Sequence, residues 1–210
     1  MNFSSIRPNT IGWLEIKLDD VQMNHLWDCC KDHKGNAKPG LAGNISNSQS
    51  IVDKDNWFWD NVLMDCLKTY AEEFENIGDD FPTMIPHPYF LNSFWVNYQK
   101  ENEFNPLHKH TAAVYSFVVW MKIPTDFEDQ RKLEIAKSNT NSISNFCIDY
   151  KDILGQEMGH IYAMSSKLEG IMLFFPSQLH HTVYPFYNCD DDRISISGNI
   201  ILDSKTFLTK

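Results

Sequence analysis

Long apolar runs, basic clusters and paired cysteines are all missing from this chain of 210 residues. The longest apolar stretch, Ala112 to Met121 with Tyr115 and Ser116 inside it, is about half of the roughly 20 residues that a bilayer-spanning helix needs. No transmembrane helix is expected. Basic residues never stand more than two together, and 28 Asp and Glu face 18 Lys and Arg, a formal charge of −10. General binding of nucleic acid, which needs clustered Lys and Arg to neutralise phosphates, is therefore not expected. The five cysteines are odd in number, with Cys29 and Cys30 adjacent and Cys66, Cys147 and Cys189 scattered without Cys-x-x-Cys spacing. They read as reduced thiols with no zinc ribbon. The first residues, MNFSSIRPNTIGW, lack a basic segment followed by an apolar one, so no signal peptide is expected and the location reads as cytoplasmic.

Repeats and Gly/Ser or Pro linkers are absent as well, which predicts a single domain over 1–210, helical in its first part, about 1–80, and strand-rich over about 85–203. What the chain does have is aromatic content. Fourteen Phe, eight Tyr and six Trp exclude a disordered polymer, and a body of this mass buries roughly 70% of its unfolded surface.

The spacing of Val21, His25 and Cys29, with Leu26 and Cys30 beside them, predicts a helix over Asp19–Lys31. Apolar residues from Trp57 to Phe74 predict a second over Asn56–Asn76, stopped by Gly78. The Gly-, Asn- and Ser-rich segment Asn36–Ser50 predicts loop. After Asp80 come short β-branched and aromatic runs: Tyr89–Gln99, His108–Ile123, Ser144–Tyr150, His160–Met164, Gly170–Phe175, Leu179–Pro185 and Arg193–Leu202. Strands at such intervals predict a sandwich or barrel with helices over one face, an α+β arrangement. The segment Thr125–Asn145, charged and then Asn/Ser-rich, reads as a surface excursion that is either a lid or a long loop.

Among eight histidines, His25 on its helix reads as a packing or surface residue. His33 and His87 fall in polar or Pro-rich loops, and His160 opens a strand with no partner nearby. His108 and His110 differ, because an extended chain points i and i+2 to one face. Two imidazoles at that spacing can converge on a cation, and imidazole suits iron, zinc, copper or nickel. The bland alternative is a solvated strand face. In Leu179-His-His-Thr-Val183, alternation groups His181 with the apolar Leu179 and Val183, so His181 is the candidate third ligand and His180 its exposed neighbour. In Arg193-Ile-Ser-Ile-Ser197, the Ile residues share one face and Arg193, Ser195 and Ser197 the other. A guanidinium turned into a barrel needs an anion, and a ligand carboxylate supplies one; otherwise Arg193 is a surface residue on an edge strand.

In that order, His-x-His, Gly170-x5-Pro176, His181 and Arg-x-Ser, the sequence resembles the iron(II)/2-oxoglutarate-dependent dioxygenases. It looks most like the branch related to prolyl hydroxylases that occurs in marine bacteria and their phages. The matching stretches are Phe94 to Pro124 and Gly170 to Asn199, with LAGNI at Leu41 to Ile45 as weaker support. The resemblance implies a double-stranded β-helix, a cupin-like jelly roll, and the cofactors Fe(II), 2-oxoglutarate and O₂. It also implies hydroxylation of an unidentified small molecule or protein side chain with release of succinate and CO₂. His108, His110 and His181 would hold the metal, Arg193 and Ser195 the distal carboxylate of 2-oxoglutarate, with Asn97 and Tyr98 as further polar contacts. Trp95, Tyr115 and Trp120 would line the pocket, and Phe94 and Phe117 stand among the aromatic candidates.

Two departures from the family pattern stand out. Position 110 is His where the facial triad has a carboxylate, and Trp120 stands where relatives often carry a Tyr. Two competing readings are a non-oxygenase cupin, acting as isomerase, lyase or ligand-binding module, and a catalytically inactive jelly-roll binding protein. The first lacks the Gly before His108 and the Glu after His110 that a cupin motif requires. Oligomeric state is left open, a homodimer included.

Overall fold

The computed structural model describes residues 4, 12–74, 88–140 and 142–203. His87, Gly78, the end of the second predicted helix and most of MNFSSIRPNTIGW lie outside them. Among the described residues two antiparallel sheets face each other. Seven strands run in the order β1 (Leu14–Lys17), β9 (Ile171–Pro176), β6 (Tyr115–Lys122), β11 (Arg193–Leu202), β4 (Tyr89–Gln99), β3 (Asn47–Ser50) and β2 (Gly35–Asn36). Four more run β5 (Asn105–His108), β10 (His180–Val183), β7 (Asn145–Lys151) and β8 (Glu157–Ala163). This is the double-stranded β-helix.

Helices cover the outer face of the larger sheet. The first, α1 (Asp20–Cys29), starts where the Asp19 carboxylate accepts the Gln22 N–H and the Gln22 side chain accepts the Asp19 N–H. That reciprocal cap satisfies two donors that helix geometry leaves open. The second helix begins at Trp57, passes through a π-helical stretch, Trp59–Leu63, and continues as α2 (Met64–Glu73). Its apolar side and that of α1 place Leu26, Phe58, Leu63 and Tyr70 against Phe94, Val96, Phe117, Val119, Ile196 and Ile200 of the sheet. Side chains of this kind contribute about 1.5–3 kcal/mol each when fully buried.

Strand alternation then divides β11 cleanly. Ile194 and Ile196 turn to the helices, while Arg193, Ser195 and Ser197 turn toward the smaller sheet, where Val118, Trp120, Phe146, Leu173, Phe175 and Val183 form a second core. Cross-strand register carries the division to the neighbours: Ser195 stands opposite Asn97 and Trp120, and Ile194 opposite Tyr98. At Gly198 the strands come too close for any side chain. A Cβ there would lie 2.6 Å from the Phe117 ring and 2.9 Å from the Ser93 carbonyl oxygen.

The structure corrects three sequence expectations. Asn47–Ser50 is strand rather than loop, because four polar residues complete their backbone hydrogen bonds on the edge of β4. His108–Ile123 is not one strand: β5 ends at His108 and the chain turns before β6 begins at Tyr115. The excursion after Thr125 contains a short helix, α3 (Phe127–Gln130), with Phe127 and Gln130 buried. Gln130 exchanges two hydrogen bonds of 2.8 Å with the backbone of Tyr187, which pins this part of the segment.

Candidate active site

Pairing of β5 with β10 sets His108 directly across from His181, and the turn after β5 brings in His110, whose N–H donates to the Ser177 carbonyl at 2.8 Å. One potential ligand atom from each of the three rings lies within 4.8 Å of the others. The rings are 4.2 Å apart for His108 and His181, 5.2 Å for His108 and His110, and 5.3 Å for His110 and His181.

Backbone carbonyls fix two of the tautomers. His108 Nδ1 donates to the Pro106 carbonyl at 2.7 Å and His181 Nδ1 to the Leu179 carbonyl at 3.0 Å. Each Nε2 is thereby left with a free lone pair, the form that a metal requires. His110 is held differently: its Nδ1 lies 3.5 Å from the Asn199 side-chain amide, whose Oδ1 accepts from Ser116 Oγ at 2.8 Å. Burial keeps all three imidazoles neutral. It lowers the pKa of His108, brings His110 down to about 4 and brings His181 to about 3, with repulsion from His108 adding to the effect at the other two.

Arg193 is 1% exposed. Its Nη1 donates to the Tyr184 carbonyl at 3.2 Å, its Nη2 to Ser144 Oγ at 2.8 Å, and its guanidinium lies 4.8 Å over the Phe186 ring. Its Nε has no acceptor, and among the described residues no carboxylate pairs with it. Burial lowers its pKa to about 9, so it is still a cation at neutral pH. Ser144 holds its end of the contact from a left-handed backbone, φ 43°, a conformation that residues with a side chain adopt at some cost. The fully buried Trp120 likewise has an Nε1–H with no acceptor. Buried donors are almost always satisfied. Two unsatisfied buried donors therefore lie on the inner side of one sheet, one of them cationic.

Other expected residues divide by strand face. Asn97 points inward, where its Oδ1 accepts from Ser48 Oγ at 2.7 Å, and Ser195 stands beside it. Trp95 lies 6.0 Å from the His110 ring. Tyr98 and Tyr115 are corrections. Tyr98 sits with Ile194 on the helix side near His33, and Tyr115 stacks on Phe174 and meets Tyr70; neither faces the smaller sheet. Phe117 also packs on the helix side, with Phe58, and Phe94 joins them while bordering the cleft that reaches His110. Asn199, Ser144 and Phe186 were missed. Asn199 was within reach, since it lies six residues after Arg193 on the same face of β11, but nothing in the sequence marks Ser144.

A cleft of about 410 Å³ reaches His110, lined by Asn36, Pro39, Gly40, Trp95, His110 and Asn199 among others, with no Asp, Glu, Lys or Arg in its wall. A larger hollow, about 730 Å³, lies around His180 on the far side of the smaller sheet. His180 is exposed and His181 buried, as alternation required.

The family model described as "Putative 2OG-Fe(II) oxygenase" matches residues 93–199, just over half of the chain, from β4 through both histidine segments to Asn199. The chain belongs to the 2OG-Fe(II) oxygenase family. This oxygenase therefore works with Fe(II), 2-oxoglutarate and O₂. No curated protein matches it. Among solved structures it is similar to a Pseudomonas putida prolyl-4-hydroxylase, at 13% identity over 93% of this chain and 95% of that one, TM-score 0.53. It is similar also to a Trichoplax adhaerens prolyl hydroxylase in complex with a hypoxia inducible factor oxygen degradation domain peptide fragment, at 11% identity over 96% and 88%, TM-score 0.54. At such identities these likenesses describe the fold.

Proposed function

We propose that His108, His110 and His181 hold the Fe(II) of this oxygenase, that Arg193 with Ser195 receives the distal carboxylate of 2-oxoglutarate, and that the reaction is hydroxylation. The observation that carries the reading is the buried guanidinium without a counter-ion on the same inner side as a neutral imidazole triad. A carboxylate would meet the orphan Nε, and Trp120 Nε1 offers a second donor within the same core. Bound Fe(II), 2-oxoglutarate and O₂ supply oxidative decarboxylation to succinate and CO₂, with one oxygen atom entering a C–H bond of the substrate.

The chain's own part is to bind, orient and exclude water. The carbonyls of Pro106 and Leu179 keep two ligand lone pairs aimed inward, and Asn199 borders the third ring. Three neutral imidazoles leave a divalent metal with its full charge of two, one unit more than a triad containing a carboxylate. Asn97 is the remaining inner polar candidate on β4. Because the cleft wall carries no formal charge, the part of the substrate that enters it is uncharged, whether it belongs to a small molecule or to a protein side chain. One domain spanning the chain, a cytoplasmic location and an origin in the marine bacterial and phage branch complete the proposal. The buried free cysteines agree with a reducing compartment.

Anaerobic addition of Fe(II) and then 2-oxoglutarate should produce a weak visible charge-transfer band, absent with either alone. If no band forms and 2-oxoglutarate gives no metal-dependent thermal shift, the site assignment fails. Replacing His110 by Ala separates ligand from bystander: unchanged iron affinity would remove it from the triad.

A further inference from the structure

Beneath the helices, on the opposite side of the seven-stranded sheet from the imidazole triad, a second set of metal-ligating side chains converges. His25 and Cys29 stand at i and i+4 on α1 and so share a face. Asp53 reaches them from the chain just before the second helix. The ligating atoms of all three lie within 4.8 Å of one another. His25 Nε2 is 3.0 Å from Asp53 Oδ1 and 3.4 Å from Cys29 Sγ. Cys29 is 4% exposed and Asp53 9%, and the imidazole lies against Trp57 with ring centres 4.7 Å apart. The carboxylate is also held in place, since Oδ1 accepts the Phe58 N–H at 2.8 Å and Oδ2 the Trp59 N–H at 2.7 Å.

One nitrogen here faces two partners, and neither protonation state of the ring satisfies both of them fully. If Nε2 carries a proton and donates it to Asp53, it has no lone pair for the thiol. If it is unprotonated and accepts from the thiol, its lone pair faces a carboxylate oxygen at hydrogen-bond distance. A cation among the three atoms removes the conflict, because lone pairs on nitrogen, oxygen and sulfur can then all point to one centre. Packing alone explains the stacking on Trp57 and the capping of the second helix by Asp53. Hydrogen bonding leaves the sulfur at most a weak share of one proton, whereas a cation would engage all three atoms.

We propose that His25, Cys29 and Asp53 form a second metal site, of the zinc type, which ties α1 to the start of the second helix and is separate from the oxygenase centre. Tetrahedral bonds of about 2.0–2.3 Å put ligand atoms roughly 3.3–3.6 Å apart, close to the two separations seen. A thiolate and a carboxylate balance the charge of a divalent ion, and thiolate with imidazole favours zinc over magnesium or calcium. Burial pushes the Cys29 thiol up to about 11, so the metal-free site holds a thiol and loading releases a proton. Solvent takes the fourth position beside His25, the least buried of the three.

Cobalt(II) is the probe, because of the two sites this one alone includes sulfur. Added anaerobically to the full chain carrying His181→Ala, which breaks the imidazole triad, it should give a near-ultraviolet thiolate-to-cobalt band that saturates at one equivalent and is displaced by Zn(II). Cys29→Ser should abolish the band. His25→Gln, which retains a donor for Asp53, should abolish it while leaving the metal-free melting temperature unchanged. Absence of the band, or its survival in Cys29→Ser, overturns the proposal. Should the variants not fold, alkylation of Cys29 in the unmodified chain, mapped by mass spectrometry, gives the same answer: Zn(II) should slow it at least tenfold, and equal rates with and without Zn(II) overturn the site.

Discussion

The two sides of the seven-stranded sheet are built from the same strands and do opposite work. Facing the helices, β4, β6 and β11 present Phe94, Val96, Phe117, Val119, Ile196 and Ile200, a dry core of interlocking aromatic and branched side chains. Facing the smaller sheet they present Asn97, Ser116, Ser195, Asn199 and Arg193, of which Arg193 lacks a full set of partners. One side holds the fold. The other is left incomplete, and buried polar groups without partners are uncommon outside functional sites. Alternation lets a ten-residue strand do both without compromise, since a change at an odd position of β11 need not disturb an even one.

Substitutions on either side should therefore separate stability from binding. The largest effect is expected at the triad, where His181→Ala should lower Fe(II) affinity by more than about hundredfold and abolish turnover, read by metal titration and succinate release. Next comes a contrasting pair on β11. Ile196→Ala should destabilise the chain by about 2–5 kcal/mol in denaturant unfolding while leaving the dissociation constant for 2-oxoglutarate within twofold. Arg193→Leu should do the reverse. It should weaken 2-oxoglutarate by about 2–5 kcal/mol, some thirtyfold or more, while the ligand-free chain melts at or above the parent temperature, because an uncompensated buried charge has gone. If both variants lose stability equally, the division between the two sides is false.

A smaller, pH-dependent effect belongs to the inner side alone. Unfolded imidazoles take up protons near pH 6.5, whereas His110 and His181 in the folded chain do so only near 4 and 3. Between those values the unfolded state binds more protons, so the metal-free protein should lose stability as pH falls from about 6.5 toward 4. His110→Gln should flatten that slope in melting curves. Smallest of all, Asp19→Ala should cost about 1 kcal/mol through the lost cap of α1 and leave iron and 2-oxoglutarate binding untouched.

Much of this was legible in the sequence where a strand is long and its faces differ in chemistry. Arg193–Leu202 and Tyr89–Gln99 could be bounded to the residue, and alternation alone separated His181 from His180. The failures are equally physical. Asn47–Ser50 contains no apolar residue, and only the edge of β4 makes it a strand. Leu14–Lys17 is too short to announce itself. Tyr98 and Tyr115 were drawn toward the site by family resemblance, although Tyr98 adjoins Asn97 in an extended strand and neighbours there cannot share a face. Ser144 acquires its role only when β7 is folded against Arg193, a contact between distant parts of the chain that no local pattern encodes. His25 and Cys29 were visible as a helical stripe, but Asp53, which gives the pair a chemical meaning, arrives from another segment.

Gly198 reaches beyond this one molecule. Because a Cβ at that position would collide with both the Phe117 ring and the Ser93 backbone, every replacement reachable by a single codon change is penalised, and the position is a dead end for neutral drift. Lineages could leave glycine there only along a compensated route, with a smaller residue at 117 and a displaced chain at 93 arising together. Sequences of relatives should accordingly show those positions changing in concert or not at all.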